Sequence, residues 1–294
     1  MTTLLSAPPV TATVFPASAD VQAIIRLALA EDIGRGDLTT EATVRPEATA
    51  TAQILQKAPG VVCGLPVVEA VFSAIDPRVQ VNRLVQEGSY AADRRRTIAH
   101  VGGPAAAILS GERTALNFLQ RLSGVATTSR RAAELVAGTR ARVIDTRKTT
   151  PGLRVLEKYA VRIGGASNHR AGLDDGFLIK ENHIRAAGSI TAAVTAAMRR
   201  AAPAQLVEVE VTTLAELDEA LQAGATLILL DNFDVDLMRA AVVQANSRAR
   251  LEASGGISLD NLAEVARTGV DFISLGALTH SAGVLDFSLE VLVR

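Results

Sequence analysis

The spacing of apolar residues changes character partway along the chain. From Val21 to Ala30 they recur at helical intervals, and the run then breaks at Glu31-Asp32-Ile33-Gly34-Arg35-Gly36-Asp37, which predicts a helix followed by a loop. Between Thr49 and His100 the pattern becomes short, alternating and β-branched. Thr51 to Leu55, Val79 to Leu84 and Thr97 to Val101, separated by Gly and Pro turns, predict a small, mostly antiparallel sheet with a helix over Pro66 to Ile75 lying on it. Ala105 to Gly124 reads as one amphipathic helix linking two domains. Beyond about residue 139 a strand-loop-helix rhythm takes over. Apolar runs at 142–146, 176–180, 206–210, 227–231, 251–254 and 271–275 alternate with helical stretches at 189–201, 213–223, 234–247 and 258–268. That order is the grammar of parallel βα units, and it predicts an α/β fold with an incomplete barrel, an extra strand near Val161 to Gly164 remaining open.

Composition narrows the class. With 48% hydrophobic and 21% charged residues the chain is expected to fold, and 294 residues suffice for two cores. Thirty Lys plus Arg against 31 Asp plus Glu leave a net charge of -1, so no global field exists to hold nucleic acid or an anionic membrane. The lone Cys63 excludes an intrachain disulfide and a Cys-based zinc site, which fits a cytoplasmic protein. Met1 to Ala19 carries no charge and lacks the basic start of a signal peptide, so residues 1–19 are expected to be a flexible tail. No stretch approaches the roughly 20 apolar residues of a membrane helix. The expected domains are therefore 20–125 and 126–294, with a C-terminal strand or tail free to return to the first.

The chemistry concentrates at the strand ends. The later strands close on Thr146-Arg147-Lys148, Lys180, Glu210, Asp231, Ser254-Gly255-Gly256 and Ser274-Leu275-Gly276. In parallel α/β barrels these ends share one mouth, so the groups should converge. Arg147, Lys148, Arg154, Lys158, Arg162, His169, Arg170 and Lys180 make the neighbourhood cationic and suit a small, multiply anionic ligand. Arg154, Lys158 and Arg162 also fit a solvated helix face. Glu210 and Asp231 end mostly apolar strands. Each needs a cation: Mg²⁺ on a pyrophosphate or its ribose hydroxyls, or positive charge growing on a sugar carbon. The glycine turns at 255–256 and 276 can cradle a phosphate. His169 reads as a hydrogen-bond donor to an anionic substrate, since no third metal ligand at a known spacing accompanies it and His183; His280 either reaches a phosphate or is a satisfied loop residue, and His100 is structural.

Asp145-Thr146-Arg147-Lys148-Thr149-Thr150-Pro151-Gly152 and Gly164-Gly165-Ala166-Ser167-Asn168-His169-Arg170, continuing to Leu178-Ile179-Lys180-Glu181-Asn182-His183, resemble the quinolinate phosphoribosyltransferase family. The likeness runs from Glu31-Asp32-Ile33-Gly34 to Ser274-Leu275-Gly276-Ala277-Leu278-Thr279-His280-Ser281, with further segments at Gly111 to Asn117 and Glu208 to Val211. It implies an N-terminal α/β sandwich, a partial barrel of the seven-stranded type, and a homodimer in which Arg113 reaches the partner's site. It also implies transfer of phosphoribosyl from phosphoribosyl pyrophosphate to quinolinate with decarboxylation, with Mg²⁺ and no organic cofactor. By resemblance Arg113, Thr146, Arg147, Lys148, His169, Arg170 and Lys180 would bind quinolinate. Lys148, Lys180, Glu210, Asp231, Ser254, Gly255, Gly256, Ser274, Leu275, Gly276 and His280 would bind phosphoribosyl pyrophosphate, with Glu210, Asp231 and Lys148 catalytic. Ser89, Ala166 and Arg94-Arg95-Arg96 depart from the family pattern and concern loop geometry. Three rivals remain at this point: a paralogue using another anionic acceptor, a barrel lyase with Lys180 as Schiff-base nucleophile, and a non-catalytic anion-binding module.

Overall fold

The structure, a computed structural model, describes residues 13–93 and 95–292, so the expected tail and the Arg94-Arg95-Arg96 run lie partly outside the described residues. In chain order the helices are α1 (Ala19–Ile33), α2 (Leu38–Thr43), α3 (Leu65–Ile75), α4 (Ala105–Leu135), α5 (Arg154–Ile163), α6 (Glu181–Ala187), α7 (Ile190–Arg200), α8 (Leu214–Gln222), α9 (Val235–Ala245), α10 (Leu262–Ala266) and α11 (Ala277–His280). The strands are β1 (Thr49–Gln56), β2 (Gly60–Val61), β3 (Gln80–Arg83), β4 (Tyr90–Ala91), β5 (Arg96–Pro104), β6 (Arg142–Ile144), β7 (Phe177–Ile179), β8 (Val207–Val211), β9 (Leu227–Asp231), β10 (Arg250–Ser254), β11 (Phe272–Ser274) and β12 (Phe287–Val291). They form two compact units.

The first unit gathers residues 13–130, 150–165 and 281–292. Its antiparallel sheet runs β12-β1-β5-β3, so the last strand returns to pair with the first, Ile54 opposite Leu289. Alternation in β1 buries Ala52 and Ile54, while α1 turns Val21, Ile25 and Leu29 inward, the spacing that the sequence shows. The N-terminus of α3 has no side-chain cap of its own. Glu87 supplies one instead, its carboxylate accepting from the Gly64 and Leu65 N–H groups and from Tyr159 Oη at 3.1 Å. Buried Cys63 donates its N–H to Ser123 Oγ, and burial pushes its thiol well up, as befits an inert core residue.

Three readings from the sequence are corrected in this unit. Gly124 does not end the linking helix, which runs on to Leu135; a Cβ at Gly124 would meet Gly283 O, so the glycine is there for close backbone approach. Val161 to Gly164 is the end of α5 and its cap, not a strand. Nor is the Arg154, Lys158, Arg162 row a solvated face. Lys158 is buried, and the fully buried Glu157 beside it accepts from Arg121 Nη2 at 2.7 Å and from Thr150.

The second unit comprises Arg131–Thr149 and Ala166–His280 among the described residues. It is a parallel sheet in the order β6-β11-β10-β9-β8-β7 with the later helices between the strands. The barrel is incomplete, as expected, but among the described residues it has six strands and not seven; a single bridge from Ile144 to Ser167 stands where another strand would begin. Ile144, Leu227 and Phe272 pack at its centre with Leu206 against them. Among the described residues no helix is long and apolar enough to cross a membrane.

Candidate active site

The C-terminal strand ends of the second unit surround a cavity of about 650 Å³, within the range of small-molecule sites. Strand pleating explains what points into it. In Val207-Glu208-Val209-Glu210-Val211 the two glutamates share one face, while Val209 and Val211 are buried on the other. Register then sets Asp231 beside Ser254, and the chain turns at Gly255 and Gly256 with φ of 91° and 63°. A side chain at Gly255 would collide with Asn232, so the turn requires glycine there.

Thr146, Arg147, Lys148, His169, Arg170, Lys180, Glu210, Asp231, Ser254, Gly255, Gly256 and Ser274 all line this one cavity. Gly276 and His280 are not among the lining residues, but Gly276 adjoins Lys148, which is, and His280 adjoins Gly276. A Cβ on Gly276 would lie 2.9 Å from His280 Nε2 and 3.4 Å from Lys148 Cδ, and Thr279 Oγ1 donates to the Lys148 carbonyl at 2.8 Å. Leu275 offers neither side chain nor N–H, since the first is buried and the second donates to Ile144 O. Arg113 belongs to the first unit, on α4, with an exposed side chain, and is not among the lining residues.

The loop carrying His169 and Arg170 is held by Asp145. This fully buried carboxylate accepts from the His169 N–H at 2.8 Å and from Asn168 Nδ2 at 2.6 Å. Arg170 is nearly buried and donates from Nη1 to Gly176 O at 2.8 Å. Burial first, and then the charge of Arg147, pull its pKa below the ordinary arginine value. Across the cavity Lys180 Nζ donates to Glu210 Oε2 at 2.8 Å, and Asn232 Nδ2 donates to Asp231 Oδ2 at 2.9 Å. Burial, then the charge of Glu210, raise the Asp231 carboxyl above the usual aspartate range.

Four lining residues escaped the sequence reading: Leu178, Leu229, Asn232 and Glu252. Leu178 and Leu229 look like any strand interior. Asn232 follows a strand-end acid and takes a left-handed conformation, φ 56°, a position that Asn tolerates. Glu252, like Glu208, is an acid inside an apolar strand. Spacing along the chain does not show that these two acids meet His169, because the three come together only in the fold. In the structure His169 Nε2 lies 2.9 Å from Glu208 Oε2 and 3.7 Å from Glu252 Oε2, and its Nδ1 accepts the Arg170 N–H at 2.7 Å.

Residues 37–123 match the N-terminal domain, and residues 125–290 the C-terminal domain, of quinolinate phosphoribosyl transferase. A probable nicotinate-nucleotide pyrophosphorylase [carboxylating] of Bacillus subtilis is 46% identical over 261 residues, 89% of this chain and 90% of that protein. The nicotinate-nucleotide pyrophosphorylase [carboxylating] of Mycobacterium leprae is 44% identical over 275 residues, 91% and 95% of the two chains. The solved nicotinate-nucleotide pyrophosphorylase of Francisella tularensis superposes with a TM-score of 0.88 at 40% identity, covering 93% of this chain and 96% of that one.

Proposed function

The chain belongs to the quinolinate phosphoribosyltransferase family, and from that premise we propose that it joins quinolinate to phosphoribosyl pyrophosphate, giving nicotinate mononucleotide, CO₂ and pyrophosphate for NAD synthesis. The observation that carries this reading is the division of charge within one cavity. Arg147, Lys148, Arg170 and Lys180 line it together with a pair of carboxylates, Glu210, which Lys180 contacts, and Asp231. A pyridine dicarboxylate needs the cations, and a ribose carbon gaining positive charge as its leaving group departs needs the anions.

In this reading Arg147 and Arg170 fork onto the quinolinate carboxylates, with Thr146, His169, Lys148 and Lys180 beside them. Attack by the ring nitrogen on ribose C1 expels pyrophosphate, and Glu210 and Asp231 stabilise the charge on the sugar. Ser254, Gly255, Gly256, Ser274 and Gly276 surround the 5′-phosphate, with His280 at the rim. The carboxylate next to the now positive ring nitrogen leaves as CO₂, and the electron pair left on that ring carbon takes a proton from solvent, so the step needs no protein base. Arg113 of a second copy completes the quinolinate site in a cytoplasmic homodimer. Magnesium enters as part of the substrate, neutralising the pyrophosphate. Glu210 is already bonded to Lys180 and Asp231 to Asn232, so these two carboxylates draw a substrate-borne cation without caging one.

The test is stoichiometric release of CO₂ and pyrophosphate from purified protein given quinolinate, phosphoribosyl pyrophosphate and Mg²⁺. Wild type should release both and Arg147→Ala should not. A folded wild type that releases neither, yet accepts another anionic acid, would refute quinolinate as the acceptor.

A further inference from the structure

At the floor of the cavity, the strands that present Glu210 and Ser254 each place a second carboxyl one layer deeper, that of Glu252 still lining the cavity. Glu208 and Glu252 lie two residues before them on the same faces, each only 1% exposed. Oxygens of the two carboxyls and a ring nitrogen of His169 all lie within 4.8 Å of one another. Beyond them the barrel interior turns apolar, with a cavity of about 20 Å³ against Phe177, Leu206 and Leu227 that has room for a single water. Two carboxylates meeting in such surroundings cannot both hold their charge cheaply.

Donor accounting decides where the proton sits. His169 Nδ1 accepts the Arg170 N–H, so it is unprotonated and the ring carries its hydrogen on Nε2, aimed at Glu208 Oε2. Glu208 is thereby the acceptor, and its buried Oε1 has no other donor among the described residues. Glu252 Oε1 is occupied as an acceptor from Ser274 Oγ at 2.5 Å, so Oε2, the oxygen on the side of His169 and Glu208, is the one left to carry a proton. We propose that Glu252 is a neutral carboxylic acid donating to Glu208, and that this acid-carboxylate pair is a positioning device. It fixes His169 as its Nε2–H tautomer and, through Nδ1 and the Arg170 N–H, sets the Arg170 guanidinium in the cavity wall. Burial raises both carboxyls, Glu252 the further and Glu208 to about 7, in keeping with one proton on Glu252. The charged groups facing Glu208 besides these are Arg170, Lys180 and Glu210. His169 then serves Arg170 and does not itself donate to the bound acid, which replaces the role expected from its sequence motif.

The role of Arg170 rests on the activity proposed above; the proton on Glu252 does not, and the experiments separate the two. Infrared spectra near neutral pH should show the carbonyl stretch of a protonated carboxylic acid in wild type, absent in Glu252→Gln, and nitrogen NMR should show His169 as the Nε2–H tautomer. In kinetics, Glu252→Ala should raise KM for quinolinate about tenfold or more while KM for phosphoribosyl pyrophosphate stays within about twofold, and Glu252→Gln, whose amide still donates, should recover to within about threefold. If Glu252→Ala does not fold, the spectra and the Gln variant still decide. The proposal is overturned by the absence of the acid band, by Glu252→Gln performing no better than Glu252→Ala, or by a stoichiometric metal in the purified protein that Glu252→Gln loses. An acid band in a protein that does not turn over quinolinate would sink the activity and leave the proton assignment standing.

Discussion

Replacing Glu210 by Ala separates chemistry from stability. Its partner Lys180 has a side chain 52% exposed, so the 2.8 Å ion pair is screened and its loss should change unfolding free energy by no more than about 1 kcal/mol. The transition state is a different matter. A unit charge about 4 Å from a carboxylate at an effective dielectric of about 20 is worth roughly 4 kcal/mol, and Lys180, already neutralising part of Glu210, reduces this to about 2–3 kcal/mol. That range corresponds to a kcat lower by roughly 30- to 200-fold. The pH profile should move too. Burial is the main reason the Asp231 carboxyl sits high and the Glu210 charge the second, so the variant's acid limb should shift to lower pH without reaching the ordinary aspartate position. Steady-state rates across pH, with urea unfolding on the same preparations, supply both readouts. A kcat within about fivefold of wild type, or a comparable loss of stability, would refute the assignment of Glu210 to the sugar charge.

Arg121→Ala leaves the fully buried Glu157 without its cation and should cost about 3–5 kcal/mol in urea unfolding, whereas a double replacement by apolar residues should recover much of it. Gly276→Ala places a methyl against the end of His280 and the stem of Lys148, both able to yield, so KM for phosphoribosyl pyrophosphate should rise several-fold while stability stays within about 0.5 kcal/mol. Glu208 rises from 4.5 to about 7 on folding, so its contribution to stability is fully present below about pH 4.5 and is lost as pH climbs through 7, a ceiling of about 3 kcal/mol. Unfolding midpoints at several pH values should show that slope in wild type and a flatter one in Glu208→Gln.

The strands of the second unit were legible because each is a short apolar run ending in a charged, hydroxyl or glycine residue; β9 occupies the span expected of it, 227–231. The same regularity brought most of the cavity wall together from sequence, since a parallel sheet converts strand ends into neighbours. What escaped was long-range. A C-terminal strand returning to the first domain is expected and found, but nothing in the period of Phe287 to Val291 gives its register against β1, and nothing in Gly124 distinguishes a helix stop from a tight crossing against Gly283. Glu208 and Glu252 were passed over for another reason: a buried acid is legible only when its partners, drawn from three strands and a loop, are known.

The return of β12 to the first sheet has a consequence for biosynthesis. Gln53 and its partner Glu290 are 237 positions apart, and a ribosome adding about 5–20 residues per second needs on the order of 10–50 s to deliver the second after the first. Throughout that interval β1 has β5 on one side and an open row of N–H and C=O groups on the other, the kind of edge that recruits foreign strands. The second unit, whose strands all lie between, can assemble while the sheet still waits. The nascent chain therefore carries one particular unpaired edge until β12 arrives, and a translation stall before residue 287 exposes β1 longer than a stall anywhere after it.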